Sequence, residues 1–168
     1  MASFLNRILG RKNRTSSWRR DPAQTEPLTV DISAARFCGV ALGEPFEKLA
    51  FLGPADRYHR EAQIYDYKKW GFYLVEEADR LDEVVFLIHD RPRQAAFRGR
   101  WLLNGREKPI TAQTRPKDIR WELGEPVKAY TETTGELIWV YETTTMEWEF
   151  AWLPDETLES IEMRPLGS

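Results

Sequence analysis

Cys38, His59 and His89 are the residues of this chain best suited to thiol, imidazole or metal chemistry. A thiol–imidazole pair needs its sulfur as a thiolate, which an open, electropositive setting favours. Cys38 stands instead between Phe37 and Gly39 in an apolar, strand-like stretch, the setting of a small buried residue. His59 lies in the charged run Asp56 to Glu61, and His89 follows the apolar run Val84 to Ile88. Both read as loop residues. Zinc takes three or four Cys or His ligands, and these three are scattered along the chain. No Gly-x-Ser-x-Gly, lysine-bearing phosphate loop or His-Glu-x-x-His occurs in the sequence. The reading is of a non-catalytic protein with no metal and no cofactor.

Carboxylates are the remaining chemistry-bearing type. Glu76, Glu77, Asp79, Asp82 and Glu83 form one cluster, and Asp155, Glu156, Glu159 and Glu162 a second. Neither has the spacing of a calcium loop. Paired carboxylates can hydrolyse glycosides, but with 27 acids in 168 residues such pairs arise by chance. Both clusters read as solvated acidic faces. Glu76, Glu77 and Asp79 are expected in an exposed loop that meets a basic partner. Trp70, beside Lys68, Lys69 and Gly71, has a turn-like setting that would leave its indole partly exposed, so Trp70 and Lys69 are candidate partner contacts. Trp139, Trp148 and Trp152 fall at strand-periodic positions and read as core.

These residues sit in a chain with 42% hydrophobic and 30% charged residues, enough apolar material for a packed core. The net charge of −3 hides a polarity. Residues 1–20 hold six basic residues and no acid, so the remaining 18 basic and 27 acidic residues leave −9. An acidic body argues against nucleic acid as a partner. A single cysteine excludes an internal disulfide. The five-residue apolar runs Val84 to Ile88 and Leu137 to Tyr141 are far below the roughly 20 residues that span a bilayer.

Residues 1–20 read as a basic amphipathic tail. Phe4, Leu5, Ile8 and Leu9 form one helical stripe among Arg7, Arg11 and Lys12, a candidate anchor for anionic lipid or a partner groove. No long apolar stretch marks a secretory signal, so a cytoplasmic protein, peripheral to the membrane if the anchor acts, is expected. Residues 21–27, with two prolines, read as a linker.

From residue 28 the sequence repeats itself in outline, as residues 28–90 and 91–168. Phe37-Cys38-Gly39 recurs as Phe97-Arg98-Gly99, and Pro45 with Leu52-Gly53 recurs as Pro116 with Leu123-Gly124. Tyr65-Asp66-Tyr67 recurs as Trp139-Val140-Tyr141, Tyr73-Leu74-Val75 as Trp148-Glu149-Phe150, and Leu81 to Val84 as Leu158 to Ile161. The offsets 60, 71, 74, 75 and 77 rise stepwise, as loop insertions would make them. Each proline can open a short helix and each glycine can end it, with Thr114 able to cap the second. Met146, Trp148, Phe150 and Trp152 alternate with Glu147, Glu149 and Ala151 as in a half-buried strand, joined through Thr143–Thr145 to the strand of Leu137, Trp139 and Tyr141. Asn104-Gly105 is a type I′ hairpin turn between 100–103 and 107–111. Each copy reads as a strand, a short helix and a three-stranded meander.

Leu52-Gly53-Pro54 with Tyr65 and Tyr67, and Leu123-Gly124-Glu125-Pro126 with Trp139 and Tyr141, resemble the small α/β repeat of two families: the SmpA/OmlA-type outer-membrane lipoproteins and the tandem-repeat beta-lactamase inhibitor proteins. The resemblance implies a repeat that binds other proteins with its sheet. Lipid attachment is not carried over, since Cys38 follows no signal peptide, and neither are the inhibitors' disulfides. The fold expected is α+β, two similar repeats in one compact unit, each a short helix packed on a mainly antiparallel sheet. The function expected is an intracellular protein-binding module, immunity- or inhibitor-like, whose acidic body meets a basic partner. A peripheral membrane adaptor held by the N-terminal helix is the alternative.

Overall fold

A computed structural model describes residues 13–166 of the chain. Its main element is an eight-stranded antiparallel sheet built as two meanders of four strands each. The first comprises β4 (Arg57–His59), β5 (Ile64–Tyr67), β6 (Phe72–Glu77) and β7 (Arg80–Leu87). The second comprises β10 (Lys128–Thr131), β11 (Leu137–Glu142), β12 (Met146–Trp152) and β13 (Leu158–Pro165). The meanders join through their last strands, giving the order β10-β11-β12-β13-β7-β6-β5-β4. A smaller sheet, in the order β3-β2-β1-β8-β9, contains β1 (Thr29–Asp31), β2 (Arg36–Phe37), β3 (Val40–Ala41), β8 (Arg100–Leu103) and β9 (Arg106–Lys108). The chain is α+β.

Period-2 patterning sets the faces of the large sheet. Phe72 and Leu74, Val84 and Phe86, Ile161 and Met163, and Met146, Trp148, Phe150 and Trp152 all point inward and are buried. The small sheet covers the middle of this inner face, with Phe37 against Phe72 at 4.9 Å and Trp101 against Phe86 at 5.1 Å between ring centroids. A 3-10 helix (Phe46–Leu52) covers one flank, packing Phe46 on Tyr65 at 4.8 Å. An α-helix (Pro116–Leu123) lies toward the other, its Arg120 guanidinium 4.9 Å from the Trp139 ring centroid. The large sheet thus buries one face under three elements.

Each half places a helix ahead of a four-stranded meander, one strand more than the sequence suggests. Gly53 and Gly124 end the two helices at φ 77° and 84°, a region open to glycine. The Tyr67 hydroxyl donates to the Gly53 carbonyl at 3.0 Å, and the Tyr141 hydroxyl to the Gly124 carbonyl at 3.2 Å. Two sequence matches do not hold in three dimensions. Phe37 lies in β2 whereas Phe97 lies in a loop. Strand pairing sets Tyr67 opposite Phe72 and Tyr141 opposite Trp148, so the β6–β12 match is offset by one residue from Tyr73/Trp148. A slip of one residue reverses the face, which is why Tyr73 points away from the core that Trp148 fills.

The turns follow local chemistry where glycine or asparagine is present. Asn104 and Gly105 both take positive φ between β8 and β9. Thr114 does not cap the following helix; its hydroxyl accepts from Thr111 N–H at 3.0 Å, while the Asp118 carboxylate accepts from Arg115 N–H at 2.9 Å.

The described part of the N-terminal region differs from a tail and linker. Asn13 accepts from Thr15 and sets a 3-10 turn (Arg14–Ser17), and Asp21 caps a one-turn helix (Pro22–Thr25). Thr15 is fully buried, with its hydroxyl accepting from Ala55 N–H at 3.0 Å. Trp18 packs on Phe46 and donates its indole N–H to Glu47 at 3.1 Å. One large aromatic among polar residues carries enough apolar area to fasten the segment to the body.

Candidate functional site

The outward face of the large sheet carries the second set of each strand's side chains. Among the described residues no helix or sheet is layered on it; the loop 89–96 closes one end, where the Gln94 amide donates to Asp66 at 3.4 Å and Ala95 N–H to the Lys68 carbonyl. Strand register aligns one rung across all eight strands: Lys128, Val140, Glu149, Glu162, Val85, Tyr73, Asp66 and Arg57. Glu149 and Glu162 therefore face each other directly, a like-charge pair that sheets ordinarily avoid. Beside them Ile138, Val140 and Ala151 make a buried apolar cluster separate from the main core.

Arg164 compensates part of this charge. Its guanidinium bridges Glu147, Glu162 at 2.9 Å and Glu149 at 3.1 Å. Burial alone would pull the guanidinium pKa down, but the three carboxylates together hold it above its ordinary value. Burial raises both Glu149 and Glu162 above the usual carboxylate range, with Arg164 acting the other way. Glu83, on the neighbouring strand, is pushed up to about 7 by burial and then by Glu162, against the pull of Arg164. Four carboxylates thus share one guanidinium on a half-buried surface. Glu83 can therefore exchange a proton near neutral pH.

The residues singled out from sequence fall elsewhere and do not come together. Trp70 and Lys69 precede β6 and Glu77 ends it, about 20 Å away along a strand of that length. Trp70 is half-buried: its ring stacks on Tyr67 at 5.9 Å and on Phe72 at 6.1 Å, with the Arg20 guanidinium 4.7 Å above it. Lys69 is exposed and 4.0 Å from Asp56. The loop expected at Glu76 to Asp79 is strand up to Glu77, then a tight turn with Ala78 and Asp79 at positive φ. Glu76 is 3% exposed, accepts from the Tyr65 hydroxyl at 2.7 Å and lies 3.5 Å from Arg14, so it is a structural carboxylate. Glu77 is exposed, and Asp79, also exposed, pairs with Arg14. Phe4, Leu5, Arg7, Ile8, Leu9, Arg11 and Lys12 lie outside the described residues.

Cys38 is half-buried, and burial pushes its thiol up to about 11, so it stays protonated at neutral pH. Among the described residues no three His, Cys, Asp or Glu side chains are grouped to hold a metal. No helix among them is long and apolar enough to cross a membrane. Sequence reading missed the Glu83–Glu147–Glu149–Glu162 group because its members come from three strands. The outward alternation of Glu147 and Glu149 was its local trace.

Neither a protein-family model nor a curated protein matches the chain. Among solved structures it is similar to a DUF4309 family protein, YjgB, from Bacillus subtilis, with a TM-score of 0.54 over 76% of this chain and 82% of that one. Sequence identity is 16%, so the likeness is one of fold.

Proposed function

We propose that the protein is a non-catalytic binding module that takes a basic segment of another protein on the outward face of its large sheet. The observation that carries this reading is the imbalance on that face: Glu83, Glu147, Glu149 and Glu162 have Arg164 as their shared guanidinium. A lysine or arginine from a partner supplies the missing positive charge. The net −9 outside residues 1–20 steers such a partner from a distance. The sequence resemblance to repeats that bind proteins with their sheet supports the same reading.

The test is the pH dependence of binding to a short peptide of alternating Lys and Val. A cation favours ionised Glu83, so affinity should rise as pH rises through about 7, and amide resonances of β7, β12 and β13 should shift on titration. Binding that is flat in pH, or shifts confined to the opposite side of the molecule, would refute the proposal.

A further inference from the structure

The large sheet ends at β10, and among the described residues no strand pairs with its outer edge. Sheet edges are ordinarily blunted by short strands and by charge, because their free N–H and C=O groups invite another strand. The other edge strands follow that rule. β3 has two residues, and β4 and β9 have three each, with Arg57 and His59 in β4 and only charged residues in β9. β10 has four residues, and Lys128 is its one charge. The chain is exposed throughout 127–134. Glu132 N–H donates to the Glu136 carbonyl at 2.8 Å and Val127 N–H to the Val140 carbonyl at 2.9 Å, so the free edge lies between them. Peptide groups alternate sides along a strand. Those of Lys128 and Tyr130 therefore face β11, as at Glu132, and those of Ala129 and Thr131 point away from the sheet in its plane. The side chains of Lys128, Tyr130 and Glu132 lie on the same face as Glu149, since Lys128 stands opposite Val140 and Val140 opposite Glu149.

We propose that β10 pairs with β10 of a second copy of this chain, antiparallel about a two-fold axis at Tyr130, and joins the two large sheets into one. A two-fold axis normal to the sheet makes the paired strands antiparallel. The free peptide groups of Ala129 and Thr131 can bond across it only in registers centred on Ala129, Tyr130 or Thr131. Charge selects among these. Centring on Tyr130 bonds Ala129 to Thr131 of the second copy and sets Lys128 directly opposite Glu132 of the second copy, on both sides of the axis. Opposite charges directly across a strand pair stabilise it. Tyr130 meets its own counterpart at the axis, in a non-hydrogen-bonded pair where side chains approach most closely. Centring on Ala129 would set Lys128 against Tyr130, and centring on Thr131 would set Tyr130 against Glu132, leaving both charges uncompensated. The segment Lys128-Ala129-Tyr130-Thr131-Glu132 is thus complementary to itself in reverse. The contact extends the sheet in its plane and leaves Glu83, Glu147, Glu149 and Glu162 uncovered, so it is independent of peptide binding on that face. It engages far fewer than the roughly 20–30 residues a side of a standard interface, so the dimer is a weak one.

Sedimentation equilibrium of the full chain, from about 5 μM to about 1 mM, should show a reversible monomer–dimer equilibrium with a dissociation constant of about 100 μM. Lys128→Glu and Glu132→Lys each set like charges across the axis, and each should weaken self-association about tenfold. Mixed in equal amounts, the two variants are complementary at both positions and should associate at least as tightly as the parent. The double variant Lys128→Glu/Glu132→Lys should likewise recover the parent's constant. Thr131→Pro removes an outward N–H without breaking a bond to β11 and should abolish the dimer. The proposal is overturned if the parent stays monomeric at the highest concentration, if the single swaps associate like the parent, or if mixing them restores nothing. Should Thr131→Pro not fold, the mixed charge swaps, at exposed positions, decide.

Discussion

Glu83 links the outward face to stability through its proton. An unfolded glutamate ionises near pH 4.3, whereas folded Glu83 holds its proton up to about 7. Between those values the folded state binds more protons than the unfolded one, so this group makes stability fall as pH rises. Glu83→Gln cannot ionise and removes the penalty. We expect the variant to match the parent near pH 4 and to exceed it by about 1–2 kcal/mol at pH 8, a figure reduced for solvent screening. Urea unfolding at the two pH values measures the difference. Equal midpoints at pH 8 would mean that Glu83 ionises like an exposed carboxylate.

Helices and strands are coupled by two matching hydrogen bonds, Tyr67 to Gly53 and Tyr141 to Gly124. Tyr67→Phe and Tyr141→Phe should each cost about 1 kcal/mol, and the double variant about the sum, since the sites lie in different halves. Thermal unfolding of the three variants checks this, and a double variant no worse than either single one would show a shared pathway instead. The N-terminal segment gives a sharper element-scale expectation. A solvated tail would tolerate Trp18→Ala without loss, but Trp18 is 7% exposed on Phe46, and the substitution should cost about 3 kcal/mol. Local features such as the proline-opened helices, the Asn104-Gly105 turn and the alternation in β12 are legible from sequence, because each is set by neighbouring residues. The burial of Thr15 and Trp18 is not, because it depends on the helix Phe46–Leu52, some 30 positions along the chain. The Ala78-Asp79 turn is likewise obscured, since alanine seldom adopts positive φ.

At the scale of the molecule, the pairing of β13 with β7 brings Glu162 beside Val85 and next to Glu83 across more than 70 residues of sequence. Acidic runs read along the chain as two separate solvated faces therefore contribute to one surface, while Glu76 is buried under the Tyr65 hydroxyl and Glu77, Asp79, Asp155 and Glu156 stay exposed. Strand order is a tertiary choice that periodicity does not encode. The proposed binding depends on where the acids stand and not only on the total charge. The direct measurement compares the dissociation constant of the Lys–Val peptide, at pH 8 and fixed salt, for the parent and two charge-matched double variants. Glu149→Gln/Glu162→Gln removes two carboxylates from the sheet face, and Asp155→Asn/Glu156→Gln removes two from the exposed turn before β13. We expect at least tenfold weaker binding for the first, about one lost charge-assisted contact, and an unchanged constant for the second. Equal losses in the two variants would contradict it, leaving net charge alone to attract the peptide.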